Sequence, residues 1–221
     1  MLSQKHRTFA LDHVYDNGRS IYTREMRNPD DFVIWLDDLF SALGLNQLHL
    51  MAHSYGAWQA SLYALAYPGR LQKLVLLAPT ATILPPRLGL LVRAIIYYFL
   101  PLRLVTKRYH YWYAPNAIGK DQTRARIDEM IEEDLLARRC FKKRKFVSPT
   151  VLSDDDWRNL QVPTLILIGD GERTYSAQRA VHRLQDGAPR VKSKIAPDTD
   201  HHISLVSPKW TVDAVLDFLN N

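Results

Sequence analysis

Short apolar runs, each followed by a helical pattern, constrain this chain more than any other feature. "LHLMA" (48–52), "LQKLVLLAP" (71–79) and "PTLILIG" (163–169) read as buried strands, and "VKSKIA" (191–196) as a fourth. Strands alternating with helices imply an α/β fold: a mostly parallel sheet with helices on both faces. In "NPDDFVIWLDDLFSALG" the apolar residues Phe32, Trp35, Leu36, Leu39, Phe40 and Leu43 share one helical face. Asn28 suits its cap, Pro29 its first position and Gly44 its stop. "YGAWQASLYALAYPG" reads as a helix starting near Gly56 and stopped at Pro68-Gly69, and "SDDDWRNL" as a short helix with Ser153 and Asp156 in a capping box. "SAQRAVHRLQDG" and "PKWTVDAVLDFLN" supply two more helices. An earlier run, "TFALD" (8–12), reads as a short strand.

The stretch from about residue 80 to 147 breaks the rhythm with helices alone. "LGLLVRAIIYYFL" is too apolar to lie free in water and is expected to pack on something. "DQTRARIDEMIEEDLLARR" carries Ile127, Met130, Ile131 and Leu135 on one face, with Asp121 at its start. A helical block set between two strands implies a cap over one end of the sheet. The expected organisation is therefore a discontinuous core, 1–80 and 148–221, with a helical lid at 81–147. Tyr97 and Trp112 are expected to line the space beneath it.

The turn after the second apolar run carries "MAHSYGA", close to G-x-S-x-G but with Ala52 at the first glycine. A serine on a strand-to-helix turn stands out above the sheet, and the helix amino end favours negative charge developing beside it. Ser54 is thus the candidate nucleophile. Small residues at 52 and 56 are expected because neighbouring backbones approach closely, and alanine adds one methyl. A serine hydroxyl needs a base, and the base needs an orienting carboxylate. "IGDGE" offers Asp170 and Glu172, and "PDTDHH" offers His201 and His202. A metal reading of Asp198, Asp200, His201 and His202 would need ligands from elsewhere to close a coordination sphere.

On these residues the chain resembles the α/β-hydrolase superfamily, in particular small bacterial carboxylesterase-like hydrolases with a helical lid. "FALDHVYDNGRS", "MAHSYGA", "LVLLAP", "VPTLILIGDGE" and "IAPDTDHH" resemble successive family segments across nearly the whole chain. The resemblance implies a chain order of nucleophile, acid and base. It points to Glu172, three residues after Gly169, as the acid, with Asp170 the alternative, and to His201 as the base. Asp200 then stands where the family has glycine, and His53, ahead of the nucleophile, is structural. The backbone N–H of Tyr55 would be one oxyanion donor. The implied activity is hydrolysis of a carboxylic ester bearing an apolar group, through an acyl-enzyme and without metal or organic cofactor.

The second oxyanion donor of the family belongs to a His-Gly loop after an earlier strand. No His-Gly pair occurs in this sequence, and only seven residues precede "TFALD". The resemblance thus leads to the expectation of a chain truncated at its amino end, by about 60 to 80 residues against an ordinary family domain. A catalytically impaired remnant and a non-catalytic binding protein are the rival readings.

Composition narrows the partners. The 221 residues carry a formal net charge of +6, with 47% hydrophobic residues, as expected of a globular chain with one sizeable core. The single cysteine, Cys140, excludes an intramolecular disulfide and fits a reducing, cytoplasmic setting. No amino-terminal apolar segment suggests secretion. The longest apolar run, 88–100, is interrupted by Arg93 and is too short to span a bilayer. The basic run "RRCFKKRK" (138–145) reads as a solvated helix end rather than a nucleic-acid site, and the aromatics of "YHYWY" (109–113) as lid packing. The oligomeric state is left open.

Overall fold

The computed structural model describes residues 2–15, 20–21, 24–117, 121–141 and 146–221. Four strands, β1 (Leu48–His53), β2 (Leu71–Leu77), β3 (Thr164–Gly169) and β4 (Val191–Ala196), form one parallel sheet in the order β1-β2-β3-β4. Alternation along the central strands sorts the core into two layers. Leu74, Leu76, Ile166 and Ile168 face one side, with α1 (Pro29–Ala42), α2 (Ser54–Ala66) and α7 (Ala177–Gly187). Val75, Leu77, Leu165 and Leu167 face the other, where Ala214, Val215 and Phe218 of the last helix cover them. All six residues of β3 are buried, as a parallel strand covered on both faces requires.

The local signals account for the helix ends. Asn28 accepts from the Asp31 N–H, and the Asp31 carboxylate accepts from the N–H groups of Arg27 and Asn28. Ser153 and Asp156 make the same reciprocal cap on α6 (Asp154–Asn159). Gly44 takes a positive φ of 69° after α1. α2 begins at Ser54 itself, two residues earlier than expected.

The helical block between β2 and β3 contains α3 (Leu88–Phe99), α4 (Arg103–Tyr113) and α5 (Asp121–Cys140). Ile127, Ile131 and Leu135 of α5 form its small core with Ala114 and Ala117, and Met130 packs alongside. Within the block the Tyr97 hydroxyl donates to Asp134, its ring stacks on Tyr109, and the Arg138 guanidinium lies over it. The Arg93 guanidinium lies over the Trp112 ring in the same way. The apolar length of α3 is largely left facing water. Leu90 is its only buried residue.

Residues 8–12 form no strand. They lie exposed beside a cleft of about 660 Å³ that the amino-terminal segment, α1 and β1 enclose between them. A strand exists only when a neighbour takes its backbone hydrogen bonds, and the cleft separates this segment from the outer edge of β1. Of the two arrangements open to a chain without the family's intervening strand, direct pairing of residues 8–12 with β1 or a slot between them, the structure has the slot, and β1 is the edge of the sheet among the described residues. Residues 16–19 of the resembling segment "FALDHVYDNGRS" and residues 142–145 of the basic run lie outside the described residues.

After α7 and β4 the chain closes with α8 (Ile203–Val206) and α9 (Pro208–Asn220). The carboxyl ends of all four strands point the same way, so the loops after them gather at one end of the sheet.

Candidate active site

Ser54 follows β1 directly and takes a φ of 55°, a left-handed conformation that costs a non-glycine residue about 1–3 kcal/mol. Ala52 and Gly56 face each other across this turn. A Cβ on Gly56 would meet only the Ala52 Cβ, at 3.9 Å. One methyl thus fits, and the expected crowding by backbone is not found at Gly56. Three other non-glycine residues have positive φ, namely Ala78, Ala81 and Asp198. They lie in the loops after β2 and β4. All the positive-φ side-chain-bearing residues among those described therefore sit at the carboxyl end of the sheet, where strain accompanies functional geometry.

The His201 Nε2 lies 2.8 Å from the Ser54 Oγ, and its Nδ1 lies 2.8 Å from the Glu172 Oε2. Glu172 and His201 are both buried. Burial pushes the Glu172 carboxyl up, but the His201 charge and hydrogen bond and the Thr174 N–H outweigh it and bring the group down to about 2. Glu172 is thus an acceptor only. Asp170, the alternative acid, points elsewhere. Its two oxygens accept from the N–H groups of Asp198 and Thr199, both at 3.0 Å, and so shape the loop that carries His201.

Backbone contact also joins the two loops. A Cβ on Gly169 would meet the Thr199 carbonyl oxygen at 2.4 Å and that of Asp200 at 2.5 Å. Asp200 occupies its position without positive φ. Its carboxylate accepts from the N–H of His202 and from that of Asn116 in the helical block. Burial raises its pKa against those two bonds. His53 donates its Nε2–H to the His201 carbonyl at 2.8 Å, which fits the structural role expected of it. Enclosure and the neighbouring His201 lower the His53 pKa to about 4, and enclosure with the surrounding histidines lowers that of His202 to about 3. No group of three or more His, Cys, Asp or Glu is arranged to hold a metal ion among the described residues.

Two neighbours escaped the sequence reading. The Thr80 Oγ1 lies 2.9 Å from the Ser54 Oγ. The sheet register explains why: His53 pairs with Leu77, so the loops after β1 and β2 lie side by side. The adjacency of "MAHSYG" and "LLAPT" in a parallel pair was the available signal. Tyr113, at the end of α4, sets its ring 4.9 Å from the His201 ring. Tyr55 is the second residue of α2, where a backbone N–H has no partner within the helix. Its side chain turns aside, donating to the Val147 carbonyl at 2.7 Å.

This arrangement belongs to a known class. The chain matches the Alpha/beta hydrolase family over residues 6–214 and is a member of it. It is similar to the carboxylesterase YbfK of Bacillus subtilis (strain 168), 26% identical over 224 residues that cover 98% of this chain and 72% of that protein. Among solved structures it resembles the naproxen esterase of Bacillus subtilis (22% identity, TM-score 0.81, 94% of this chain and 72% of that one). It also resembles a Bacillus subtilis protein described as a putative hydrolase (23% identity, TM-score 0.86, 99% and 76%).

Proposed function

We propose that this protein hydrolyses carboxylic esters with an apolar group, through an acyl-enzyme on Ser54. One observation carries the reading: the continuous chain of 2.8 Å contacts from Glu172 through His201 to Ser54. In it, Glu172 holds the imidazole with Nδ1–H toward itself. The Nε2 lone pair takes the serine proton as Oγ attacks the carbonyl carbon, and the imidazolium then protonates the departing alcohol. Water repeats the exchange to release the acid. The Tyr55 N–H, at the positive end of α2, is one donor to the oxyanion. Residues 81–147 act as a lid, supported by the Asn116–Asp200 bond and by Tyr113 against His201. The esterase relatives support the substrate class. No metal or organic cofactor takes part, and the single cysteine accords with a cytoplasmic setting.

A second reading is favoured by the outer edge of β1, which has no strand partner among the described residues: the three residues persist, but with the Tyr55 N–H as the one donor to the oxyanion turnover is impaired. Losing one such donor costs about 10² to 10³ in kcat. A fluorophosphonate probe and a nitrophenyl acetate assay separate the two. Labelling abolished by Ser54→Ala, with strong loss in Glu172→Gln and mild loss in Asp170→Asn, supports the triad. Labelling without measurable ester turnover supports the impaired form. Labelling that persists in Ser54→Ala overturns the nucleophile assignment.

A further inference from the structure

Helix α3 is apolar nearly all round, yet it buries only Leu90 and turns one whole apolar face to water. Leu88, Leu91, Val92, Ile95 and Ile96 follow the i, i+3, i+4, i+7, i+8 pattern of one face, and each is exposed, from 44% to 75%. Leu102 and Leu104, which follow in the chain, are also 58% and 59% exposed. Contiguous apolar surface of this kind marks an interaction site.

The charge along its own stretch of chain is one-sided, the nearest acids being Glu132 and Asp134 of α5, which are paired with Arg103 and with Tyr97, His110 and Arg138. Residues 79–120 contain six cations, Arg87, Arg93, Arg103, Lys107, Arg108 and Lys120, and no Asp or Glu. The whole chain has 29 cations and 23 anions, so the other 179 residues hold 23 of each. The entire formal charge of +6 thus belongs to this segment. Arg103 pairs with Glu132 across the block, while Arg87, Lys107 and Arg108 are exposed.

We infer that α3 is a docking surface for an anionic lipid–water interface, with its apolar face at the acyl boundary and the neighbouring cations among the headgroups. At 12 residues it is too short to cross a bilayer and would lie along the surface. A second copy of the chain is a poorer occupant, because it would oppose two acid-free cationic segments. Headgroup attraction of the cations near the surface adds to the apolar term. The inference does not depend on the catalytic reading, because adsorption is measured without turnover.

The test is co-sedimentation of the full chain with phosphatidylglycerol–phosphatidylcholine vesicles and with pure phosphatidylcholine vesicles, at low and high salt. Expected is binding to the anionic vesicles that weakens with salt. The triple variant Arg87→Glu, Lys107→Glu, Arg108→Glu should weaken it on the order of a hundredfold. Leu91→Ser with Ile95→Ser should weaken it at least about tenfold, with an unchanged circular dichroism spectrum because both positions are exposed. No binding, equal binding to both vesicle types, or unaltered binding by the variants overturns the inference. So does a dimer in light scattering that Leu91→Ser with Ile95→Ser converts to monomer, since the face would then be a subunit seam.

Discussion

Around Ser54 the hydrogen bonds can run in only one direction. Glu172 accepts, so the His201 Nδ1 donates, and with the imidazole neutral the Nε2 must accept the Ser54 proton. The Thr80 hydroxyl is then the donor to the Ser54 Oγ. A donor there steadies the oxygen as its proton leaves. Removing it in Thr80→Val should slow fluorophosphonate labelling about tenfold, in line with one hydrogen bond of about 1 kcal/mol or slightly more, and Thr80→Ser should restore the rate. Equal labelling rates in all three proteins would reduce Thr80 to a packing residue. His53 gives a second residue-scale expectation. Its pKa is lowered from 6.5 to about 4 by enclosure first and His201 second. Below pH 6.5 the unfolded chain therefore binds a proton that the folded one refuses, so stability is lost as pH falls from 6.5 toward 4. After allowance for the surface the residue retains, that is about 2 kcal/mol. Urea unfolding of His53→Gln should show a shallower loss in this window. The Glu172 contribution is separate: its carboxyl is lowered from 4.5 to about 2, so its stability is present above 4.5 and disappears only as pH falls toward 2.

At the scale of elements, the loops after β3 and β4 behave as one piece, joined by Gly169 against the Thr199 and Asp200 carbonyls and by Asp170 on the following backbone. Gly169→Ala must push these loops apart, and should cost several kcal/mol of stability and most activity. Gly56→Ala meets an ordinary 3.9 Å contact and should be nearly silent in both. Thermal melts and ester assays on the pair check this, and a silent Gly169→Ala would refute the close-contact account. Much of this level was legible beforehand. Caps at Asn28 and Ser153 and the apolar runs of β1 to β4 are local signals, and they placed Ser54, Glu172 and His201 on loops at one end of the sheet. The roles of Tyr97, Trp112 and Tyr113 were not legible. All three are aromatic and lie within 17 positions of one another, and only the packing of α3 on α4 and α5 decides which ring meets the imidazole.

For the whole molecule, the sequence pattern was a poor guide wherever the outcome depended on what lies beside a segment. "TFALD" alternates well enough for a strand, yet no edge is within reach, and it stays unpaired as a strand and exposed. The outward face of α3 reads as core by composition alone, and only its orientation reveals otherwise. The edge position of β1 reaches further still. Ser54 hangs from the rim of the sheet, whereas Glu172 and His201 hang from β3 and β4, with β3 buried along its whole length. Rim strands open locally at lower free energy than central ones. Hydrogen exchange should therefore be faster in β1 than in β3, and on slow heating ester turnover should vanish several degrees below the midpoint of the circular dichroism transition. Coincident loss of both signals would mean that the sheet opens only as a unit. If they separate, heat disarms the protein while most of it is still folded, and cooling from that window should bring the activity back without refolding the rest.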